Sequence, residues 1–174
     1  GLDSSGRLHS GGGMVVGPDG FLYVATGDGG FGSTLSQDTD RLEGKILRLT
    51  RDGVAAPGNP FAGIPGYRPE IYCTGLRNPF RMARDANIIY LGDVGSGTEE
   101  VNSFLVTNNT ANFGWPTHDG YVGSSTLPGY RNPIVYYTRS GATANAFRSE
   151  HPTAPAATGS ASVMIGDVYR GSRY

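Results

Sequence analysis

A histidine and an aspartate stand at the two ends of one glycine-rich stretch, "HSGGGMVVGPDGFLYVATGDGG", residues 9–30. Taken singly, His9 reads as a surface loop histidine and Asp28 as the aspartate of an Asp-Gly turn. As a pair they read differently. If the strand-like runs "MVV" and "FLYVAT" form a hairpin, the approach to the first and the exit from the second meet at one edge. His9 and Asp28 then come within hydrogen-bond reach. A carboxylate on one imidazole nitrogen fixes the tautomer and leaves the other nitrogen as a general base near neutral pH.

Two further segments carry chemistry-bearing residues. In "TGLRNPFRM", Arg77 and Asn78 precede Pro79, which favours extended backbone before it. An arginine fork suits carboxylate or quinone oxygens, and equally a surface salt bridge to a nearby acid. In "GDVGSGTEEVN", a glycine-rich loop carries Asp93, Glu99 and Glu100. Hard cations such as calcium take carbonyl and carboxylate oxygens together. The EF-hand spacing is absent, so an acidic turn between strands reads equally well. A third motif misleads. "GDGGFG" satisfies G-x-G-x-x-G after a strand, with Asp52 about twenty residues on. A dinucleotide site needs a helix to begin there. The following "STLSQDTDRLEG" has Leu35 and Leu42 as its only large apolar residues and makes at most a turn or two of helix.

The elements that must position these residues are strands. "MVVG", "FLYVAT", "KILRLT", "EIYCTG", "NIIYLGD", "EVNSFLV", "PIVYYT" and "SVMIGDVYRG" are short, rich in Val, Ile, Leu and Tyr, and bounded by Gly, Pro, Asp or Asn. "GPDGFLY" and "TRDGVA" add Asp-Gly turns. "DGFLYVATGDGG", "DANIIYLGDVGSG" and "ASVMIGDVYRG" echo one another, each running an apolar strand into a Gly-Asp pair. Repeated small antiparallel sheets are what β-propeller blades look like. At ~40–50 residues per blade the chain supplies about three or four. Loops rich in Pro, Gly and Ala occupy 55–69 and 140–161, and Asn108-Asn109-Thr110 is an acceptor triplet for glycosylation in a secreted eukaryotic protein.

Bulk composition agrees. In 174 residues there are 28 Gly, 11 Pro and 10 Tyr against 7 Phe, and only 17% are charged, which reads as a loop-rich β protein. The formal charge of −1 leaves no footprint for nucleic acid or an anionic membrane. No apolar run is long enough for a membrane-spanning helix. The single Cys73 excludes an internal disulfide and any multi-cysteine zinc site. No signal peptide opens the chain, whose start reads as processed or cut, and both ends break off close to strands, as in a fragment.

Taken in order, "HSGGGMVVGPDGFLYVATGDGG", "LEGKILRLTRDG", "GNPF", "RPEIYCTGLRNPFRM", "LGDVGSGTEEVN" and "NFGWP" resemble the glucose/sorbosone dehydrogenase-like family. That family includes soluble sugar dehydrogenases that use pyrroloquinoline quinone (PQQ) and calcium, and hedgehog-interacting-protein-like relatives. The resemblance covers about residues 9–116, and "SVMIGDVYRGSRY" is similar to the start of a later blade. It implies an all-β fold: residues 1–174 form part of a six-bladed propeller of four-stranded antiparallel blades.

The resemblance also implies roles. His9 matches the base that takes the proton from a sugar's anomeric hydroxyl, Asp28 its carboxylate partner, and Arg77 the arginine that polarises a quinone oxygen. Asn78 matches a cofactor-binding neighbour, and His151 in "EHPTAP" takes the place of an aromatic over the quinone. Gly95 and Ser96 match the two residues whose carbonyls hold calcium, with Ser96 where the dehydrogenases usually carry proline. The glycines would let backbone close in around a flat cofactor. Basic residues that grip the quinone carboxylates belong to later blades.

The implied activity is PQQ- and calcium-dependent oxidation of an aldose to its lactone in a secreted or periplasmic protein, with electrons passed to an acceptor. The alternative is a non-enzymatic extracellular propeller that binds a protein or glycan. "RPEIYCTGLRNPF" and "DVGSGTEEV" look closer to that hedgehog-interacting-like branch.

Overall fold

The Asp-Gly signal in "GPDG" makes the first turn: the Gly17 amide donates to the Phe21 carbonyl at 2.8 Å, and Gly20 takes a φ of +82°. Glycine accepts that left-handed conformation without a Cβ penalty. The turn joins β1 (Gly11–Val16) to β2 (Leu22–Thr26). β3 (Ile46–Leu49) and β4 (Ile71–Cys73) complete a four-stranded antiparallel sheet in chain order. A second antiparallel sheet follows, again in chain order: β5 (Pro79–Asp85), β6 (Ile88–Asp93), β7 (Thr98–Leu105), β8 (Val135–Thr138) and β9 (Asn145–Ala146). This computed structural model describes residues 8–30, 33–107, 110–139, 145–146 and 162–172.

The fold is all-β and blade-like, as the strand spacing requires. The helix-like "STLSQDTDRLEG" contributes one 3-10 turn, Ser33–Ser36. Three details depart from the sequence reading. "PFRMARD" is a full strand, β5, although Arg81 and Arg84 break its apolar pattern; as the first strand of its sheet it is exposed along one side. "SVMIGDVYRG" forms no ladder among the described residues, although it packs on the second sheet through Val163. The described residues form two sheets, fewer than the three or four blades reckoned from length, because loops around 50–70 and 110–134 take up much of the chain. Asn108 and Asn109 of the glycosylation triplet lie outside the described residues, as does most of the 140–161 loop.

The core lies between the two sheets and is aromatic. Tyr23 of β2 meets Tyr72 of β4 edge-on at 5.2 Å between ring centroids, and Phe104 of β7 packs on both. Such pairs contribute about 0.5–1.5 kcal/mol each beyond the area they bury. Ile46, Leu76, Ile89, Leu91 and Phe113 fill the rest of this cluster. The buried phenols keep partners: Tyr72 donates to the Val106 carbonyl at 2.6 Å and Tyr23 to Asp19 at 2.9 Å. The sheets also touch directly where Gly13 of β1 faces β5; a Cβ there would lie 2.9 Å from the Met82 side chain. The chemistry-bearing residues gather where the chain leaves β2 and β6 and enters β5: the Asp28 amide donates to the Arg77 carbonyl and the Asn78 amide to Asp93.

Candidate active site at the ends of strands β2 and β6

β1 and β2 pair with Gly11 opposite Thr26, and an irregularity follows Gly11. The chain entering β1 therefore lies against the chain leaving β2. The approach is so close that a Cβ on Gly27 would sit 1.7 Å from the His9 carbonyl oxygen, and one on Gly11 would sit 2.7 Å from the Gly27 amide. Gly11 also needs its φ of +71°. These two glycines bring backbone against backbone within the protein, which corrects the expectation that they close around a flat cofactor. His9 itself has a φ of 55°. Left-handed backbone is uncommon for a side-chain-bearing residue and concentrates at functional sites.

This geometry delivers the pair. His9 Nδ1 lies 2.7 Å from Asp28 Oδ1. Asp28 is buried, and its carboxylate is saturated by donors: the Gly30 amide reaches Oδ1 at 2.8 Å and the Trp115 indole N–H reaches Oδ2 at 2.9 Å. Nδ1 of His9 is thereby held as the donor nitrogen, since the ionised carboxylate only accepts. Nε2 is left as the basic nitrogen, on a side chain 21% exposed. A partly exposed imidazole held in one tautomer can accept a proton from a hydroxyl brought against it.

Arg77 and Asn78 are tied to the same place. The Arg77 carbonyl accepts from the Asp28 amide at 2.8 Å, and Asn78 Oδ1 accepts from the Gly11 amide at 3.1 Å. Both of their own amides donate to the buried Asp93 carboxylate, at 3.0 Å and 2.6 Å. The Arg77 guanidinium lies over the Trp115 ring, 5.4 Å from its centroid. Asn78 Nδ2 and Arg77 Nη2 have no partner among the described residues. Donors of that kind suit the carbonyl and carboxylate oxygens of a quinone. Arg77 and Asn78 thus carry donors of the kind such a group would need.

The residues that sequence reasoning missed are Trp115 and Gln37. Gln37 Nε2 donates to the Trp115 carbonyl at 2.7 Å, and Gln37 forms a reciprocal amide pair with Asn112 at 2.9 and 2.8 Å. The Trp115 amide donates to the Gly75 carbonyl at 3.0 Å. The signal was the chain's one tryptophan, set between Gly114 and Pro116.

The acidic loop resolves into separate tasks and does not converge on a cation. Asp93 caps the Arg77 and Asn78 amides. Glu99 Oε2 accepts from the Val163 amide at 2.7 Å, and Glu100 accepts from the Gly120 amide and from Asn102. Burial pushes the Asp93 carboxyl well up, reinforced by the Glu100 charge and opposed by the two amides. Burial likewise pushes Glu100 up to about 7, with Asn102 and the Gly120 amide acting against it. The two expected calcium ligands are differently placed. The buried Gly95 carbonyl accepts from Arg77 Nη1 at 2.8 Å and from Arg139 Nη1 at 3.2 Å, while Ser96 is exposed. Calcium seeks six to eight oxygen ligands, and a carbonyl already engaged by two guanidinium groups does not fit it. His151 lies outside the described residues.

A cleft of about 510 Å³ runs between β1 and β5 and is walled on its third side by residues 165–167. It begins at Gly11, but neither His9 nor Arg77 lines it. The His9–Asp28 pair and this cleft are therefore neighbours and not one site.

Known proteins resemble the chain over much of its length. The chain is 37% identical over 142 residues to the HIPL2 protein of Arabidopsis thaliana, covering 68% of this chain and 20% of the relative. It is 32% identical over 142 residues to the aldose sugar dehydrogenase YliI of Escherichia coli, covering 74% of this chain and 37% of that one. The PQQ-bound aldose sugar dehydrogenase of Streptomyces coelicolor superposes with a TM-score of 0.66 at 37% identity, over 79% of this chain and 38% of that one. The chain thus spans between a fifth and two-fifths of these three proteins. The family model for glucose / sorbosone dehydrogenase matches residues 2–166, nearly the whole chain. The chain belongs to the glucose/sorbosone dehydrogenase family.

Proposed function

We propose that this chain carries the base-bearing part of a sugar dehydrogenase that oxidises an aldose to its lactone with PQQ and passes the electrons to an acceptor. The observation that carries the reading is the 2.7 Å pair of His9 and Asp28. His9 Nε2 takes the proton of the anomeric hydroxyl. Asp28 keeps Nδ1 protonated and balances the imidazolium that forms. Arg77 and Asn78 would hold the quinone, offering positive charge and N–H donors to its oxygens. PQQ, when bound, supplies the acceptor for the anomeric hydride. No step is assigned to calcium. The sugar and the acceptor are the partners of this reading, a secreted or periplasmic protein its setting. Among the described residues no helix is long and apolar enough to cross a membrane.

The test is dye-linked aldose oxidation by the natural-length polypeptide reconstituted with PQQ, in calcium and in chelator. Turnover that requires PQQ supports the reading; none from a folded, PQQ-loaded protein overturns it. A second reading is a non-enzymatic propeller with a protein partner on its loop face. It is supported by the likeness to HIPL2 and to hedgehog-interacting proteins alongside the dehydrogenases. PQQ separates the two, because a binding propeller needs no quinone affinity.

A further inference from the structure

The turn between β6 and β7 is where a calcium ion would be held if Gly95 and Ser96 were its ligands, and that turn is already closed from within. The Val94 and Gly95 carbonyls accept from Arg77 Nη1 at 2.9 and 2.8 Å. The Gly95 carbonyl accepts again from Arg139 Nη1, and the Arg139 backbone amide donates to the Gly97 carbonyl at 2.9 Å. Arg139 is held in turn by the buried Glu99: its Nε lies 3.1 Å from Oε1, an ion pair too poorly aligned to be a hydrogen bond. The other side of the turn is also satisfied. Asp119 accepts from the amides of Ser96, Gly97 and Thr98 at 3.2, 2.7 and 3.3 Å. The loop is tight enough that a Cβ on Gly95 would lie 1.7 Å from the Thr98 carbonyl oxygen.

We propose that Arg139, together with Arg77, supplies the positive charge that organises this turn, so that the site is built without calcium. The physical reason is competition for one acceptor. A divalent ion on the Gly95 carbonyl would have to displace two guanidinium groups or sit beside them, and like charges at that distance repel strongly. Displacing Arg139 would also strand the buried Glu99 carboxylate without its counter-charge. Arg139 is a positioning residue: it holds the carbonyls and thereby the direction of the Arg77 fork. The inference rests on the reading of Arg77 and Asn78 as quinone holders, because only that reading makes calcium an expected ion here.

The experiment is calcium titration of the natural-length polypeptide by calorimetry and by thermal melting, with and without PQQ, against magnesium as control. The expected result is no saturable calcium binding, melting unmoved by chelator, and PQQ affinity unchanged in chelator. Saturable calcium binding in the micromolar range, or PQQ affinity lost in chelator, overturns the proposal. Arg139→Gln supplies the second arm. It frees the Gly95 carbonyl on one side, and we expect lowered melting that calcium partly restores. R139Q melting like the parent would sink the assigned role; if R139Q fails to fold, Arg139→Lys, which keeps the charge and loses the fork, is expected to melt lower than the parent, and parent-like melting would sink the role. Absence of PQQ binding under every condition would count against the proposed function, while the calcium titration would still decide this inference.

Discussion

Trp115 donates its indole N–H to the carboxylate of Asp28 at 2.9 Å across a sequence separation of 87 residues. The bond joins the loop after β7 to the exit of β2, and it completes the set of donors around a buried carboxylate. With it, both Asp28 oxygens are satisfied and His9 faces an acceptor that cannot turn away.

Trp115→Phe keeps a ring beneath Arg77 but removes the donor. A buried oxygen left without its partner costs about 1–3 kcal/mol. We expect a loss of stability in that range by denaturant unfolding, and a drop in turnover wherever turnover is found. A variant as stable as the parent would show that the bond does not contribute.

His9→Ala should abolish sugar oxidation while leaving PQQ affinity within a few-fold. Asp28→Asn should leave the imidazole in place but in poor orientation, with activity falling by about 10²–10⁴-fold. Steady-state kinetics with PQQ binding measured by fluorescence checks both. Unchanged turnover in the His9 variant would remove the proposed base.

Glu100 makes stability depend on pH in a definite direction. Its carboxyl is raised by burial from 4.5 to about 7, so between those values the folded protein holds a proton that the unfolded chain has released. Its contribution therefore falls as pH rises through that window, by up to about 3 kcal/mol. Lys45, buried and bonded to the Leu35 and Glu43 carbonyls, is lowered from 10.5 to about 7 by burial and acts in the opposite sense at higher pH. The difference between the parent and Glu100→Gln isolates the first effect. Unfolding curves at pH 5 and pH 8 should show E100Q with the shallower decline; equal declines would contradict the assignment.

Gly27→Ala tests the close approach of His9. The added carbon would meet the His9 carbonyl oxygen at 1.7 Å, and the obstacle is backbone, which cannot rotate aside. We expect a loss of about 3 kcal/mol or more, with the His9–Asp28 bond broken. Gly166→Ala, with nothing within 4 Å of its Cβ, is the control and should be neutral. Equal melting temperatures for the two variants would show that the hairpin exit relaxes at little cost.

The sequence by itself determined the β architecture, the first hairpin and the juxtaposition of His9 with Asp28. Those follow from local rules: a strand period, an Asp-Gly turn, and the fact that the two ends of a hairpin meet. Pro79 restricted Asn78 before it, but the chain bends at Arg77 and not in the extended run expected there, and β5 itself went unread because Arg81 and Arg84 interrupt the apolar pattern. Tertiary structure decided what surrounds the pair. Trp115 and Gln37 reach the site from loops, and Asp93 from the end of β6, all distant in the chain from the pair, and no local pattern says which segment will lie against which. It also decided the fate of the acidic loop. Asp93, Glu99 and Glu100 look alike as a cluster of carboxylates, yet strand alternation and packing send each to a different set of donors. Whether a carbonyl such as that of Gly95 is open to a metal or already held by arginines depends on β8 coming back alongside β7, with Thr98 opposite Thr138 and Arg139 one residue on.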